Sequence, residues 1–289
     1  MRRPGSQTPS QGLKPLSQGP SARGRARLRL NGSAADREAV SQGPSARGRT
    51  RLRLNGSAAD RQAVSQGPTA RERTRLLLSG TVADRVVAVI PVKRLPVAKT
   101  RLRGAVPDTV HDSLVLAMAR DTVAAVLACP LVERVLVVTD DPRVRAAVTA
   151  LGAHCVPDEP DAGLNAAIAF GARGVAGPVA VLTADLPALR TDELAEALAA
   201  AAAGGHFGGY VPDADGTGTV LLTAASAAAL TPRFGPGSAA AHQAAGVRRL
   251  DGAWPSLRRD VDTAADLDKA CELGLGAFTE DALCAIAFA

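Results

Sequence analysis

From Val86 onward, apolar and polar residues alternate in blocks that predict strands and helices in turn. The uninterrupted apolar run Val86–Ile90, which stops at Pro91, is typical of a strand buried on both faces. Residues 108–127 place their apolar side chains on one face of a helix. Further strands are predicted at 135–138, 155–156, 179–182 and 220–222, and further helices at 163–174, 191–203 and 264–274, from Asp141-Pro142 onward and after Ser238. This alternation predicts an α/β domain with a mostly parallel, doubly wound sheet.

The beginning of the chain lacks this pattern and forms a separate arm. Three copies of a 24-residue unit begin at Ser17, Ser41 and Ser65. Each copy offers a few leucines against several arginines, so stacked copies would bury charge and little apolar surface. We therefore expect a disordered basic arm over residues 1–81 and one folded domain over residues 82–289.

Charge divides the chain in a similar way. Residues 1–85 carry 17 basic and 5 acidic side chains, whereas the remainder has a net charge of −6, so the overall charge of +6 describes neither part. An arginine-rich arm can bind nucleic acid through its phosphates, which makes a nucleic-acid-binding protein one alternative function. However, no aromatic residue precedes Phe170 to stack on a base, so we do not expect this function.

Composition and cysteine spacing exclude several other classes of protein. No run of residues approaches the roughly 18 apolar residues of a membrane span, and the amino terminus lacks the apolar centre of a secretory signal. The four cysteines are far apart and form no CxxC pair, so we expect neither a disulfide framework nor a zinc site. The sequence therefore predicts a cytoplasmic protein.

Positive charge follows the first predicted strand directly. Lys93, Arg94, Lys99 and Arg101 lie in a loop that Pro96 keeps out of a helix. Open α/β sheets bind ligands at the carboxyl ends of their strands. We therefore expect a polyphosphate to bind at this loop.

Two acidic motifs supply candidate metal ligands. Asp185 directly follows the predicted strand 179–182, and Asp260 and Asp262 would share one face of a strand over residues 257–263. Carboxylates in such positions could hold Mg²⁺, which prefers oxygen ligands and often bridges a protein carboxylate to substrate phosphates. Asp262, with Thr263, could also cap the following helix.

Two glycine-containing loops lie between these acidic motifs. Residues 215–219 offer backbone N–H groups and two hydroxyls for a phosphate, although a simple hairpin turn explains them equally well. Residues 234–238 precede an alanine-rich helix, for which Ser238 is a natural N-cap. The motifs GxSxG, HExxH, GxxxxGK[ST] and GxGxxG are absent, so no hydrolase triad, zinc protease, P-loop or dinucleotide site is expected.

Six motifs from about Val86 to Gly276 follow one another in an order that resembles one family. They read PVKRLPVAKTRL, GLNAAI, TADLPAL, GTGTVLLTA, RFGPGSAAAH and LRRDVDT. This order resembles the guanylyltransferases of coenzyme F(420) biosynthesis, which act on phosphoenolpyruvate or 2-phospho-L-lactate. The resemblance implies a Rossmann-like nucleotidyltransferase fold of the glycosyltransferase-A type, with GTP as co-substrate and Mg²⁺ as cofactor.

The resemblance also implies a role for individual residues. Asp185, Asp260 and Asp262 would be metal ligands. Thr219, Gly235 and Ser238 would hold the phosphorylated three-carbon acid. Lys93, Lys99 and Arg101 would neutralise the triphosphate and act as the catalytic residues. Pro91, Lys93, Lys99 and Asn165 would contact the nucleotide, with Asn165 on the guanine or ribose side.

The identity of the acid stays open at this point, with phosphoenolpyruvate favoured by analogy with actinobacterial members of the family. The acid could instead be 2-phospho-L-lactate, or the protein could be a related nucleotidyltransferase that acts on a sugar phosphate or a pterin cofactor. A labile guanylylated product would suit a hand-off to the next transferase of the pathway.

The third repeat of the arm runs directly into the first predicted strand, as a tandem duplication would if the start of the gene were placed too far upstream. Our hypothesis is that the natural product begins near Val82. Mass spectrometry of the protein from its native host tests this hypothesis. We expect no peptides from residues 17–61, and finding them would contradict the hypothesis.

Overall fold

The structure is a computed structural model that describes residues 85–95, 98, 102, 108–159, 161–203 and 207–287. The predicted basic arm lies outside the described residues, as do Lys99 and Arg101 of the basic loop. The division of the chain at residue 82 therefore stays a prediction. In the described part, no helix combines the length and the apolar character needed to cross a membrane.

Within the residues that the structure describes, six strands form a single sheet. They are β1 (Val86–Pro91), β2 (Val132–Val138), β3 (His154–Val156), β4 (Val179–Leu182), β5 (Gly208–Pro212) and β6 (Thr219–Ala224). Their order across the sheet is β3-β2-β1-β4-β6-β5. Strands β3, β2, β1 and β4 pair in parallel, whereas β6 runs antiparallel to both β4 and β5. The predicted mostly parallel sheet is confirmed.

Eight α-helices accompany these strands in the described part of the chain. They are α1 (Asp108–Leu127), α2 (Pro142–Ala150), α3 (Leu164–Gly171), α4 (Thr191–Ala202), α5 (Ser238–Ala244), α6 (Pro255–Arg258), α7 (Ala264–Leu273) and α8 (Ala277–Ala287). Helix α1 has the predicted bounds. Helix α2 begins at Pro142, as the pair Asp141-Pro142 predicted, and Asp141 is its N-cap, with a carboxylate that accepts from the N–H groups of Arg143 and Val144.

The sequence pattern did not predict β5. Its residues Gly-Gly-Tyr-Val-Pro contain two glycines and a proline, which are depleted in strands, so no apolar alternation marks them. The strand forms because β6 pairs with it on one side. On the other side, Tyr210 accepts a hydrogen bond from Leu250 N–H and donates one to Arg248 C=O, at 2.8 and 2.9 Å. The edge of the sheet is thus partly covered by the chain itself.

Strand β1 joins the two hydrophobic cores of the sheet. Ala88 and Ile90 belong to the core that contains Met118 of α1, whereas Val89 belongs to the opposite core with Ile168 of α3. All of these side chains are buried. This explains the uninterrupted apolar run, since a strand covered on both faces has no polar side.

Helix α8 is held against α1 by a polar contact. The carboxylate of Asp121 accepts hydrogen bonds from the N–H groups of Phe278 and Thr279 at 3.1 and 2.7 Å, so an α1 side chain caps the first turn of α8. The Arg120 guanidinium lies 3.6 Å from the ring centroid of Phe278. Just before α8, Gly276 N–H donates to Pro187 C=O at 2.8 Å.

Helix α3 approaches the sheet closely at Gly171. A Cβ atom at this position would collide with the side chain of Val138 and lie 3.3 Å from Val89 Cγ1. Both valines are buried, and their branched side chains are stiff. The absence of a side chain at Gly171 therefore sets the distance between α3 and the sheet.

We expect Gly171→Ala to lower the free energy of unfolding. Alanine gains up to about 1 kcal/mol of helix propensity, but overpacking at a buried contact costs about 1–3 kcal/mol. Urea denaturation measures the net effect, and Ala169→Ser, at an exposed position of the same helix, is the control. A Gly171→Ala variant as stable as the wild type would contradict the close-packing interpretation.

Candidate active site

A cleft of about 370 Å³ opens at the carboxyl ends of β1 and β4. The chain runs from β1 to one side of the sheet and returns through β4 on the other side, so these two ends flank a topological switch point. Its polar lining includes Lys93, Thr183, Asp185 and Asp262, and its apolar lining includes Pro91, Met118, Leu164 and Phe234. The cleft thus lies where a sheet of this order binds ligands.

Three carboxylates meet at this cleft. Ligand oxygens of Asp185, Asp260 and Asp262 all lie within 4.8 Å of one another, and each residue is partly buried. Asp185 follows the end of β4, and the other two belong to the segment between α6 and α7. A set of carboxylate oxygens at this separation suits a hard divalent cation.

The strand expected over residues 257–263 is wrong. Helix α6 includes Leu257 and Arg258, and the chain then continues without regular structure. The alternation of side chains nevertheless persists, because Val261 is fully buried between the two partly buried aspartates. Val261 N–H donates to the Asp185 carbonyl at 3.0 Å, which joins this segment to the end of β4.

The segment is fixed further by its neighbours. Thr263, not Asp262, is the N-cap of α7, and it forms a capping box with Asp266. Of the two residues expected to cap this helix, Thr263 is the N-cap and Asp262 is not. Arg259 pairs with Asp266 at 3.3 Å, and Arg258 donates to the Asp213 carbonyl at 3.1 Å. Both arginines that precede Asp260 thus have partners outside the acidic group.

The described part of the basic loop leaves β1 in a defined direction. Val92 N–H donates to Val138 C=O at 2.9 Å, and Leu95 N–H donates to the carboxylate of Asp141 at 3.0 Å. Burial raises the pKa of Asp141, but the hydrogen bonds from the N–H groups of Leu95, Arg143 and Val144 outweigh it, so this pKa lies below its usual value. Lys93 lines the cleft and is exposed, while Arg94 lies 3.5 Å from Asp140.

The loop of residues 215–219 is the turn of the β5–β6 hairpin. The Asp213 carboxylate accepts from Thr217 N–H at 2.8 Å and from Gly218 N–H at 2.7 Å, and Gly216 N–H donates to the Asp213 carbonyl. The expectation that this loop offers N–H groups to a phosphate is therefore wrong for these three residues. Asp213, which no sequence motif marks, already binds them.

The loop of residues 234–238 ends in a glycine cap. Gly237, with a φ of 72°, is the N-cap of α5, so the prediction that Ser238 is the cap is wrong. A left-handed conformation at the cap favours glycine, and Ser238 becomes the buried first residue of the helix. Gly235 also has a positive φ, of 134°. The backbone conformation therefore explains both glycines of this loop.

Asn165 holds the beginning of this loop. Its side-chain nitrogen donates to the Phe234 carbonyl at 3.0 Å, and its side-chain oxygen accepts from Phe234 N–H at 2.8 Å. Phe234 in turn forms part of the cleft wall. The side chain predicted to contact the nucleotide thus contacts backbone in the structure and connects α3 to the wall of the cleft.

His242 connects the same loop to β6. Arg233 N–H donates to Nε2 of the buried imidazole at 3.0 Å, and Nδ1 lies 3.0 Å from Thr219 Oγ1. Because Nε2 accepts a hydrogen bond, the neutral ring carries its proton on Nδ1 and donates it to Thr219. Burial lowers the pKa of His242, and the charge of Arg233 acts in the same direction.

Comparison with known proteins identifies the family. Residues 116–256 match the MobA-like NTP transferase domain. The chain is 62% identical over 189 residues to phosphoenolpyruvate guanylyltransferase of Salinispora arenicola, an alignment covering 65% of this chain and 88% of that protein. The corresponding enzyme of Geodermatophilus obscurus is 57% identical over 197 residues, covering 66% and 90%. The chain belongs to the phosphoenolpyruvate guanylyltransferase family.

A solved structure of a nucleotidyl transferase from Methanothermobacter thermautotroptrophicus is less similar to this chain than those two enzymes are. It is 20% identical, covers 66% of this chain and 98% of its own, and has a TM-score of 0.47. The family resemblance inferred from the six motifs is confirmed by the relatives of high identity. The predicted α/β nucleotidyltransferase fold agrees with the mostly parallel six-stranded sheet of the structure.

The structure brings most of the predicted site residues that it describes to one region. Pro91, Lys93, Asp185 and Asp262 line the cleft, and Asp260 joins the acidic group. The residues predicted to bind the acid, Thr219, Gly235 and Ser238, belong to the strand and loop that adjoin the cleft wall at Phe234.

Sequence reasoning missed His242 because its partners, Thr219 and Arg233, are 23 and 9 positions away. One signal was present, since Ser238 and His242 are four residues apart on α5 and therefore share a helix face.

We expect His242 to make the protein less stable in mild acid. The pKa of His242 is lower in the folded state than in the unfolded chain. As the pH falls below about 6.5, the unfolded chain therefore binds the proton first, and the free energy of unfolding decreases. His242→Gln removes this contribution. The difference in free energy of unfolding between wild type and variant should therefore shrink from about pH 7 to about pH 5. Urea titrations at both pH values measure it, with His154→Gln, at an exposed site, as the control. A difference that is constant or grows on acidification would refute the assignment.

Proposed function

We propose that this protein transfers a guanylyl group from GTP to phosphoenolpyruvate. A phosphate oxygen of phosphoenolpyruvate attacks the α-phosphorus of GTP. The bond from that phosphorus to the oxygen between the α- and β-phosphates breaks, and pyrophosphate leaves. The product is enolpyruvoyl-2-diphospho-5′-guanosine. Since the acceptor supplies its own nucleophile, positioning and charge neutralisation suffice, in keeping with the absence of a hydrolase or P-loop motif from the sequence.

The observation that carries this proposal is the acidic group at the switch-point cleft. Asp185, Asp260 and Asp262 offer oxygen ligands within 4.8 Å of one another, which fits Mg²⁺. When bound, Mg²⁺ would neutralise phosphate charge and act as a Lewis acid on the phosphoryl oxygens. The three aspartates would hold the cation next to the end of β4, at the wall of the cleft.

The basic loop would hold the triphosphate. Lys93 is exposed at the cleft, so its ammonium group can reach a phosphate there. We assign the same role to Lys99 and Arg101, which follow in the same loop. Pro91 ends β1 at the floor of the cleft and would contact the nucleotide. Two anionic reactants repel each other, and this positive charge lowers the cost of bringing them together.

The acceptor would bind beside the cleft wall formed by Phe234. The Thr219 hydroxyl accepts from His242, so its own proton is available for donation to a carboxylate or phosphate oxygen. The Gly235 backbone and the Ser238 hydroxyl would complete this acceptor site. Because the Asn165 side chain binds both the N–H and the C=O of Phe234, we infer that it supports this wall rather than contacting the guanine.

Phosphoenolpyruvate is the preferred acid because the relatives of 62% and 57% identity carry that substrate in their names. 2-Phospho-L-lactate is the alternative. We place the reaction in coenzyme F(420) biosynthesis, as the motif resemblance implies, where a labile guanylylated enol ester would pass to the next transferase.

We expect the full-length chain, given GTP and Mg²⁺, to release pyrophosphate with phosphoenolpyruvate and much more slowly with 2-phospho-L-lactate. The measurement is pyrophosphate release, with the next transferase of the pathway present to consume the product. Other nucleoside triphosphates, a sugar phosphate and a pterin cofactor form the comparison set. Release with one of those acceptors, and with neither three-carbon acid, would overturn the proposal.

The matched variants of this assay are Asp185→Asn and Asp251→Asn. The first removes a charge from the acidic group and should lower the rate by about a hundredfold or more. The second removes an exposed carboxylate that pairs with Arg249 at 2.9 Å and should leave the rate unchanged. Near-normal turnover in Asp185→Asn would contradict the metal assignment.

A further inference from the structure

Thr122 of α1 makes a set of buried hydrogen bonds to the turn that follows β4. The residue is fully buried. Its hydroxyl accepts from Leu186 N–H at 3.0 Å, and it can donate to Ala184 C=O at 3.2 Å and to Met118 C=O at 3.0 Å. A hydroxyl has one proton, so the two carbonyls share it.

These contacts flank Asp185 on both sides. Ala184 immediately precedes the aspartate and Leu186 immediately follows it, so one side chain of a neighbouring helix binds the backbone before and after it. Together with the hydrogen bond from Val261 N–H to the Asp185 carbonyl, the backbone of this turn is held at three consecutive residues. The direction in which the Asp185 carboxylate leaves the backbone is thereby restricted.

We propose that Thr122 is a positioning residue that aims the Asp185 carboxylate at the divalent cation. The proposal rests on the metal assignment made under the proposed function. Helix propensity does not explain threonine at position 122, because threonine is a moderate helix former. Packing does not explain it either, because valine has the same shape and would fill the same space. The hydroxyl is what the turn requires, because the buried Leu186 N–H would otherwise lose its hydrogen bond.

The test measures the dissociation constant of Mn²⁺ alone for the full-length protein, by the electron paramagnetic resonance signal of free Mn²⁺. Thr122→Val keeps the shape and removes the hydroxyl, whereas Thr122→Ser keeps the hydroxyl. Loss of a group that orients a metal ligand typically weakens metal binding about 10- to 100-fold. We expect that loss in Thr122→Val and a change of less than about threefold in Thr122→Ser.

Thr223→Val is the matched control for a lost buried hydrogen bond. Thr223 is also buried and donates from its hydroxyl to Gly209 C=O at 3.1 Å, but it pairs with Ala180, away from the end of β4 that carries Asp185. A purely structural effect would appear in both valine variants. A positioning effect appears as weaker Mn²⁺ binding in Thr122→Val alone, and as a raised apparent KM for Mg²⁺ with kcat largely restored at saturating Mg²⁺.

Unchanged Mn²⁺ affinity in a folded Thr122→Val variant overturns the proposal. If that variant does not fold, Thr122→Ala carries the same expectation and decides the question. If Asp185→Asn weakens Mn²⁺ binding and Thr122→Val does not, the positioning role of Thr122 is overturned and the metal assignment stands. Mn²⁺ binding that follows the expected order in a protein releasing no pyrophosphate would support the inference and overturn the proposed reaction. A wild type that binds no Mn²⁺ overturns both the inference and the metal assignment.

Discussion

The site depends on holding three carboxylates close together although like charges repel. At a separation of a few ångströms this repulsion favours any movement that separates them, so the backbone that carries them must be fixed independently. Asp185 is held by hydrogen bonds to its own carbonyl and to the residues on each side of it. Asp260 and Asp262 are held by the buried Val261 between them and by the capping box that begins at Thr263. The folded core thus maintains an arrangement that a cation would stabilise.

The part of the cleft wall at Phe234 is supported by neutral hydrogen bonds instead. Asn165 binds both backbone groups of Phe234, and His242 connects Arg233 to Thr219. The His242 ring also packs against Tyr210 and Phe234, with centroid separations of 5.7 and 5.5 Å. Such a network fixes the direction of each hydroxyl and N–H without adding charge. In the proposed function, a wall without carboxylates would not repel an anionic acceptor.

Much of the fold could be predicted from the sequence because strands buried on both faces give uninterrupted apolar runs. Val86–Ile90 and Val179–Leu182 are of this kind, and both coincide with strands of the structure. Strand β5 could not be predicted, because its pairing with β6 and the segment at Arg248 compensates for unfavourable residues. The three aspartates predicted from the sequence lie together in the structure, but the strand assigned to two of them was wrong. A single buried valine produces the same alternation as a strand, and periodicity cannot distinguish the two.

The hydrogen bonds made by Thr122 and Asn165 could not be predicted from the sequence, because they join positions that are far apart along the chain. Thr122 and Leu186 are 64 residues apart, and Asn165 and Phe234 are 69 apart. Each residue taken alone is ordinary, a threonine within a helix and an asparagine near the start of one. Their importance comes from the parallel sheet, which brings the turn after β4 against α1 and the loop before α5 against α3. In the proposed site, two tasks would therefore be separated along the chain. Residues next to strand ends would meet the ligand, whereas Thr122 and Asn165, in the connecting helices, bind the backbone beside them.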